Sequence, residues 1–509
     1  MYILAVDLGT QSVRAAVVST DGAIVGIAQL PHDVDSPRIG WAQQRPDKWW
    51  ESAVRAIRQV TETTGVAPGD VACVVSCGQM HGPVGVDGGG NVVTEWTQLW
   101  CDKRCEPQCD RIREASDVDE LAAVTANRPT PGWVGIKVRW ILDNQPEVYR
   151  RSRWFLVPKD FINYRLCGAA ATDPSEASGT YLWDAVSDRY SPEMAERLGL
   201  DLAKFAPVSP AHAIVGGLTA AAAAQTGLLS GTPVVCGGGD FLVSLLGLGM
   251  TGEGSAADIT GTSTLFVVHR KDPVVHPFIQ NLRHVAGGWV PFFMLDSGGI
   301  AMKWCRDLLS STGKGGVTYE EMIELAEAVD VGSDGLTFYP YLFGERRKEN
   351  TRARGAFFGI SHGHGAAHFA RAVMEGVALS VGMNAGLMRE LGIELRRVIC
   401  AGGGTRNRLL SEIKANVLGV PLEITDEPES TVRGAGLLGA YATGLVGDLD
   451  EAARALASGG RVTVEPREAE TTRYRELQER FNGVYNHLLG FYDGYSFSAG
   501  GGCNEADES

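Results

Sequence analysis

The chain has 509 residues, 44% hydrophobic and 21% charged, enough apolar side chain for a large core and, at roughly 150 residues per domain, for about three domains or two large ones. Its formal net charge of −15 argues against nonspecific binding to nucleic acid or to a membrane surface, and leaves a small anionic ligand subject to its local field alone. No uncharged apolar run reaches the roughly 18 residues of a membrane span, and 10 cysteines are too few for a disulfide scaffold.

The opening stretch MYILAVDLGTQSVRAAVV lacks a basic segment ahead of its apolar run, and Asp7 interrupts that run. No secretory signal is expected; a cytoplasmic chain with reduced thiols is. YILAVD and VRAAVVST predict two strands joined by the tight loop LGTQS, and after a turn at Asp21-Gly22 the run AIVGIAQL predicts a third. RPDKWWESAVRAIRQVTETTG predicts an amphipathic helix, with Ala53, Ile57 and Val60 at helical spacing and Gly65 as its stop. DVACVVSCGQMHGPVGVD predicts a buried strand running into a loop. Cys73 and Cys77 are spaced by four, as are Cys101, Cys105 and Cys109, which would align on a helix. The spacing matches no zinc or iron–sulfur arrangement, so buried or partly exposed thiols are expected.

VVCGGGDFLVSLLGLGM holds one charged residue, Asp240, between three glycines and an apolar run. A buried carboxylate there is costly unless paired or hydrogen-bonded, so it either caps a helix or does chemistry. AADITGTSTLFVVHRKDP follows the same plan as the first segment: an apolar approach, Asp258, a Gly-Thr pair, a Ser, then an apolar strand. The two Gly-Thr pairs, at Gly9 and Gly261, lie half a chain apart. That suggests two related halves, each opening with a hairpin, with chance similarity as the alternative. HFARAVMEGVALSVGMNAGLMRELG predicts a long apolar helix whose Gly376 and Gly382 imply close packing. RRVICAGGGTRNRLLSEIKANVLG predicts strand, glycine loop and helix. The end of the chain, 496–509, is small, polar and acidic, and is expected to be disordered.

Several of these loops suit phosphate. AGGGTRNRLLSEI opens a helix after a strand, where free N–H groups point outward, yet it is neither a Walker A nor a GxGxxG motif and could be a simple turn. In DLGTQS, Gly9, Thr10 and Gln11 can offer amides and a hydroxyl, Asp7 can hold a hydrated Mg²⁺, and Arg14 adds positive charge; an ordinary β-turn uses the same residues. Two such loops plus a glycine turn favour phosphate binding. In GQMHGP, His81 could bond a hydroxylated substrate and Met80 could line its pocket, or the histidine is structural. In LWCDKR, Trp100 can stack on a sugar and Asp102 can accept hydroxyl protons, but an Asp/Arg pair with Arg104 is equally ordinary. For Asp240, capping FLVSLLGLG and serving as a proton acceptor are compatible. HExxH, GxSxG and the protein-kinase HRD and DFG sets are absent. His362, His364 and His368 sit in a glycine-rich segment without carboxylates, so no zinc site is expected there.

In this order the loops resemble the FGGY family of carbohydrate kinases, from about Tyr2 to Gly444. The most specific segment, GAFFGISHGHGAAHFARAVME, from Gly355 to Glu375, resembles the family's C-terminal signature throughout. GWVGIKVRWILDN is similar to the N-terminal signature at Lys137, Trp140 and Asn144, while Val134 stands where the family prefers Pro, Ser or Thr. GQMHG, LWCDKR, VPKDFINYRLCGAAATDPSEASGT and YPYLFGERRKENTRARGAFFG resemble the xylulokinase branch. The resemblance implies an α/β fold of two actin-like (ribonuclease-H-like) domains, with ATP in the cleft between them. The domains would be 1–244, with the sugar site and first phosphate loop, and 245–495, with the nucleotide site. It implies ATP and Mg²⁺ as cofactors and a small sugar as partner, without nucleic acid or membrane; homodimer formation stays open.

Residue by residue, the resemblance implies Asp240 as general base and sugar contact, with Met80 and His81 as sugar contacts; Trp100 and Asp102 join them from the residue pattern. Thr10, Gln11 and Arg14 fall at the first phosphate loop, Gly261 and Thr262 at the second. Gly299, Lys303, Gly403 and Asn407 match nucleotide positions, and Asp7 would hold Mg²⁺ through water. The implied reaction phosphorylates a primary hydroxyl of a ketose, D-xylulose first. Another sugar, polyol or sugar acid is the nearest alternative, and an actin-like ATPase switch is the alternative of a different class. One departure weakens the sugar assignment: Phe241 stands where xylulokinases usually have Asn, removing a polar contact and adding bulk.

Overall fold

The first strands do not alternate apolar with polar because both faces of their sheet are covered. In a computed structural model, which describes residues 1–311, 316–345, 353–425 and 427–494, β1 (Tyr2–Leu8), β2 (Ser12–Ser19) and β3 (Ile24–Pro31) form the expected meander. α1 (Pro46–Thr64) starts with proline and stops at Gly65, whose φ of 67° is left-handed. It is followed by β4 (Val71–Gly78), α2 (Val134–Asn144), α3 (Pro158–Cys167), β5 (Ile214–Gly217), β6 (Pro233–Gly239) and α4 (Asp240–Gly247). The six strands form one sheet in the order β5-β6-β4-β1-β2-β3. Leu4, Val6 and Leu8 share a core with Trp49, Ile57, Phe161 and Ile162 of α1 and α3. Ile3, Cys73 and Val75 instead abut Gly439, in the helix Ser430–Ala442. Adjacent residues of one strand thus serve opposite layers, which is why these strands read as continuous apolar runs.

The chain packs as two units that do not follow chain order. One holds Met1–Ala256, Val267–Phe292 and Glu427–Arg461; the other holds Ala257–Phe266, Phe293–Asp426 and Val462–Ser509. The later elements are β7 (Ala256–Thr260), β8 (Thr264–Val268), α5 (Gly299–Ser311), α6 (Ala366–Glu390), β9 (Val398–Ala401), α7 (Arg408–Leu418), β10 (Leu422–Ile424) and β11 (Val462–Val464). The strands β8-β7-β9-β10-β11 lie side by side in that order. Both halves of the chain therefore open with neighbouring strands joined by three residues, Gly9–Gln11 and Gly261–Ser263.

α6 has the close packing its glycines imply: a Cβ on Gly376 would sit 2.1 Å from the Phe338 carbonyl oxygen. Glu375, which ends the C-terminal signature, is buried and accepts from Arg371 Nε, Tyr474 Oη, Gly332 N–H and Ser333 Oγ, all at 2.9–3.0 Å. Nine described cysteines are free thiols. Of the set spaced by four, only Cys109 lies inside a helix, Glu106–Ala115, so no helical cysteine stripe forms. Among the described residues no helix is long and apolar enough to cross a membrane. The tail 496–509 and the stretch 346–352 of YPYLFGERRKENTRARGAFFG lie outside the described residues.

Candidate active site

Strand register gathers the candidate residues of the first unit. β1 and β4 are parallel with Leu8 beside Gly78, and β4 and β6 are parallel with Gly78 beside Gly239. Three segments leave the sheet together at these strand ends: the loop Gly9–Gln11, the loop Gln79–His81, and Asp240. The carboxyl ends of parallel strands are where open α/β sheets bind ligands.

Each glycine of GGGD has its own steric reason. Gly237 has φ 72°, and a Cβ there would lie 1.7 Å from the Ser76 carbonyl oxygen. A Cβ on Gly238 would meet Val285 Cγ1 at 2.4 Å, and one on Gly239 would meet Met80 Sδ at 2.6 Å. Met80 therefore lies against the backbone just before Asp240. The Gly239 N–H donates to Ser175 Oγ at 3.1 Å, holding this turn to the segment DPSEAS. The capping role read for Asp240 is corrected here: Gly239 occupies the cap position and Asp240 is the first helical residue. Its Oδ1 accepts the next amide, Phe241 N–H, at 2.7 Å. The helix follows directly on a strand that runs through Gly239, so it starts at Asp240 itself, one residue earlier than a cap at Asp240 would require. Asp240 is half-buried, and its carboxyl is pushed up to about 7, chiefly by desolvation and next by the nearby charge of Asp7; the Phe241 amide and Arg14 oppose the rise.

Asp7 is the last residue but one of β1 and is buried. Arg14 faces it across the hairpin, with Nη2 2.8 Å from Asp7 Oδ2 and Nη1 2.9 Å from Glu429 Oε2. Arg14 is thus held between two carboxylates rather than left open for phosphate. Desolvation raises the Asp7 carboxyl, Arg14 opposes, and Glu429 adds to the rise. Neither oxygen of Asp7 accepts a well-formed hydrogen bond. Mg²⁺ is usually held by one or two carboxylates and keeps several waters. A buried carboxylate that Arg14 meets at Oδ2, with Oδ1 accepting no hydrogen bond from the described residues, fits that demand, whereas no group of three or more His, Cys, Asp or Glu among the described residues could cage a metal.

The remaining sugar-side candidates are ordered by their surroundings. His81 adopts φ 69°, unusual for a non-glycine residue and often tolerated at functional sites. Its ring meets Trp133 edge-on at 5.3 Å. Desolvation, then Lys137, lowers its pKa to about 3, so the ring is neutral. The signature residue Lys137 is fully buried and donates to the carbonyls of His81 at 3.0 Å and Leu99 at 2.7 Å. Desolvation lowers the Lys137 pKa to about 8. Trp100 donates its indole N–H to Thr10 Oγ1 at 3.1 Å, joining a sugar-side residue to the first phosphate loop; Gln11 is exposed at the tip of that loop. Asp102 is fully buried and takes Arg104 Nη2 and the Ala42 N–H, both at 2.7 Å. Its oxygens are committed within the protein, which favours the Asp/Arg-pair reading, in a buried form.

In the second unit, the carbonyls of Gly261 and Thr262 accept from Gly299 N–H at 3.0 Å and Ile300 N–H at 3.1 Å. The loop Gly261–Ser263 therefore closes the start of α5, and Gly261, Thr262 and Gly299 come together. Lys303, exposed on α5, pairs with Asp307 at 2.9 Å. Gly403 opens a short turn, and Asn407 ends it by capping α7, accepting Leu410 N–H at 3.0 Å. Asp258, the counterpart of Asp7 in the half-chain match, is held by Lys414 Nζ at 2.8 and 2.7 Å. The two halves thus share a hairpin but differ in the cation beside its acid: Asp258 pairs with Lys414, and Asp7 pairs with Arg14. Lys414 and Glu429 were not legible in the sequence, because neither lies in a glycine loop or near its partner along the chain.

Comparison with known proteins agrees with this layout. Residues 2–247 match the FGGY family of carbohydrate kinases, N-terminal domain, and residues 256–443 match its C-terminal domain. The xylulose kinase of Bacillus subtilis is 27% identical over 487 residues, covering 96% of this chain and 97% of that protein. The autoinducer-2 kinase of Klebsiella pneumoniae is 29% identical over 523 residues, covering 97% and 95%. The crystal structure of a xylulose kinase from Rhodospirillum rubrum is similar with a TM-score of 0.90 and 27% identity, over 97% of this chain and 100% of that one.

Proposed function

This chain belongs to the FGGY family of carbohydrate kinases, and from that premise we propose that it transfers the γ-phosphoryl group of ATP to a primary hydroxyl of a ketose, D-xylulose first, with Asp240 as general base. The observation that carries the reading is the setting of Asp240: a half-buried carboxyl at the strand ends, beside the loop of Met80 and near Asp7, with its pKa pushed up to about 7. A sugar hydroxyl is a weak nucleophile at neutral pH. A carboxylate poised near the working pH accepts its proton as the oxygen attacks phosphorus in line. The amides and hydroxyl of Gly9–Gln11 are the donors proposed to meet the developing phosphoryl charge, with Gly261 and Thr262 as their counterparts in the second unit. Asp7 is the residue suited to hold a hydrated Mg²⁺, whose charge would offset that of the phosphates. Met80 and His81 would contact the sugar, with the His81 backbone held by Lys137 and its neutral ring packed edge-on against Trp133.

D-xylulose is proposed first because xylulose kinases recur among the relatives. The autoinducer-2 kinase at comparable identity and the Phe241 ring, which meets Phe292 edge-on at 5.6 Å, make the sugar the part to test. The experiment is ADP release measured across pentuloses, hexuloses, aldonates and polyols. Stimulation by a ketose supports the reading. ATP turnover unaffected by any of them would replace it with the ATPase-switch alternative.

A further inference from the structure

Two buried glutamines lie between the loop of Thr10 and the loop of Met80, and the proposed chemistry uses neither. Gln44 is 3% exposed and Gln79 is 1% exposed. A buried primary amide is costly unless its polar groups are hydrogen-bonded. Gln44 makes a full set. Its Nε2 donates to the Thr10 carbonyl at 2.8 Å and to the Asp33 carbonyl at 3.1 Å. Its Oε1 accepts from Trp49 Nε1 at 3.0 Å and from Gln79 Nε2 at 2.9 Å. The amide can be placed only one way round, because an indole N–H only donates and a carbonyl only accepts. That orientation in turn requires the nitrogen of Gln79 to face Gln44.

Each end of this chain of bonds reaches a loop of the candidate site. The Thr10 carbonyl and the Gln11 N–H belong to one planar trans peptide and point in opposite directions. Holding that carbonyl inward on Gln44 therefore turns the Gln11 N–H outward, away from Gln44. At the other end, the Gln79 N–H donates to the Leu8 carbonyl at 2.8 Å, and the next residue is Met80, packed against Gly239.

We propose that Gln44 is a positioning residue which, through Gln79, couples the phosphate loop at Thr10 to the sugar loop at Met80 and His81. The proposal rests on the reading of those loops given above. Its signature is a crossed effect: a change on the sugar side is felt by the nucleotide, and the reverse. Gln79→Met keeps side-chain length and removes the bond to Gln44. By calorimetry, the affinity for Mg²⁺ with a nonhydrolysable ATP analogue is expected to fall roughly five-fold, the size of one buried hydrogen bond. Gln44→Met is expected to raise the sugar KM as well as weaken the nucleotide. The double variant is expected to lose no more than Gln44→Met alone, since both act on one path. Trp49→Phe, which removes the other donor to the same oxygen, is expected to lower Tm and leave both affinities within about two-fold. If Gln79→Met does not fold, Gln79→Asn is expected to show the same crossed effect. The proposal is overturned if Gln79 variants change the sugar KM alone, if Trp49→Phe weakens the nucleotide as much as Gln79→Met does, or if the losses add. Binding separates this from the kinase reading. Crossed effects in a chain that phosphorylates no sugar uphold the bridge and refute the kinase, whereas sugar-dependent turnover without crossed effects refutes the bridge alone.

Discussion

A base must lose its proton before it can accept one, and the surroundings of Asp240 resist that loss. Desolvation, then Asp7, pushes its carboxyl up to about 7, so kcat/KM is expected to climb with pH and level off above about pH 7. A flat profile across that region would count against Asp240 as the base. Asp7→Asn removes the second of these pushes, so whatever activity survives should have its limb displaced to lower pH. Asp240→Asn is expected to bind both substrates and to lose roughly 10²- to 10⁴-fold in turnover; near-normal turnover would sink the assignment. The same group also makes stability depend on pH. Its folded pKa lies above the ordinary carboxylate value of 3.8, so the folded state keeps a proton that the unfolded state gives up. The associated stability is complete below about pH 4 and is lost as pH rises through about 7. Asn stays neutral throughout, so the Tm of Asp240→Asn relative to wild type should be more favourable at pH 8 than at pH 5. An offset that does not change with pH would place the carboxyl outside a buried setting. Asp7 and Asp240 were legible because each is a lone acid in an apolar, glycine-bearing run. Glu429 was not: it meets Arg14 across a separation of 415 residues, and only tertiary packing joins them.

Elements were legible where a local rule controls them and misread where neighbours do. α1 ends at Gly65, and α6 buries Gly376 against a carbonyl, as periodicity and glycine placement imply. The start of α4 was misread because Asp is a good cap in isolation, whereas here the helix begins at Asp240 itself, directly after the strand, and leaves the cap position to Gly239. The glycines of that turn give a graded prediction. A methyl on Gly239 would press on Met80 Sδ, Cγ and Cε, which are soft, mobile atoms. Gly239→Ala is therefore expected to fold, to displace Met80 and to raise the sugar KM with little change in the nucleotide KM. A methyl on Gly237 would enter the Ser76 carbonyl oxygen, at a left-handed φ of 72°. The sheet backbone cannot yield there, so Gly237→Ala is expected to cost several-fold more stability than Gly239→Ala. Thermal melts of the pair, read beside the two KM values, check both claims. Equal Tm losses would mean that the turn is not packed against β4 as described.

For the whole molecule, the family resemblance implies a break near residue 244, and the family matches meet between 247 and 256. Compactness follows a different division, because Val267–Phe292 and Glu427–Arg461 return to the first unit. No composition shift announces that return; it depends on surfaces that exist only once the sheet has formed. The helix Ser430–Ala442 shows what the return supplies. A Cβ on Gly436 would strike Val18, one on Gly439 would strike Ile3, Val75 and Cys73, and one on Gly434 would strike the Val243 carbonyl. This helix therefore covers one face of β1, β2 and β4 and the back of α4. A fragment of residues 1–256 ends before it, leaving Ile3, Val18 and Val75 facing water and α4 without its partner. Burial of such side chains contributes about 1.5–3 kcal/mol each, a large share of the 5–15 kcal/mol that holds a typical domain. The fragment is expected to keep far-UV signal while losing near-UV signal and binding a hydrophobic dye, the marks of a loosely packed state. Appending 427–461 through a flexible linker should restore part of the near-UV signal by returning the missing layer. A fragment 1–256 that is monomeric, with native-like near-UV spectra and a sharp thermal transition, would show instead that the sheet stands without the returning helix. Asp240 would then owe its place to the first 256 residues alone.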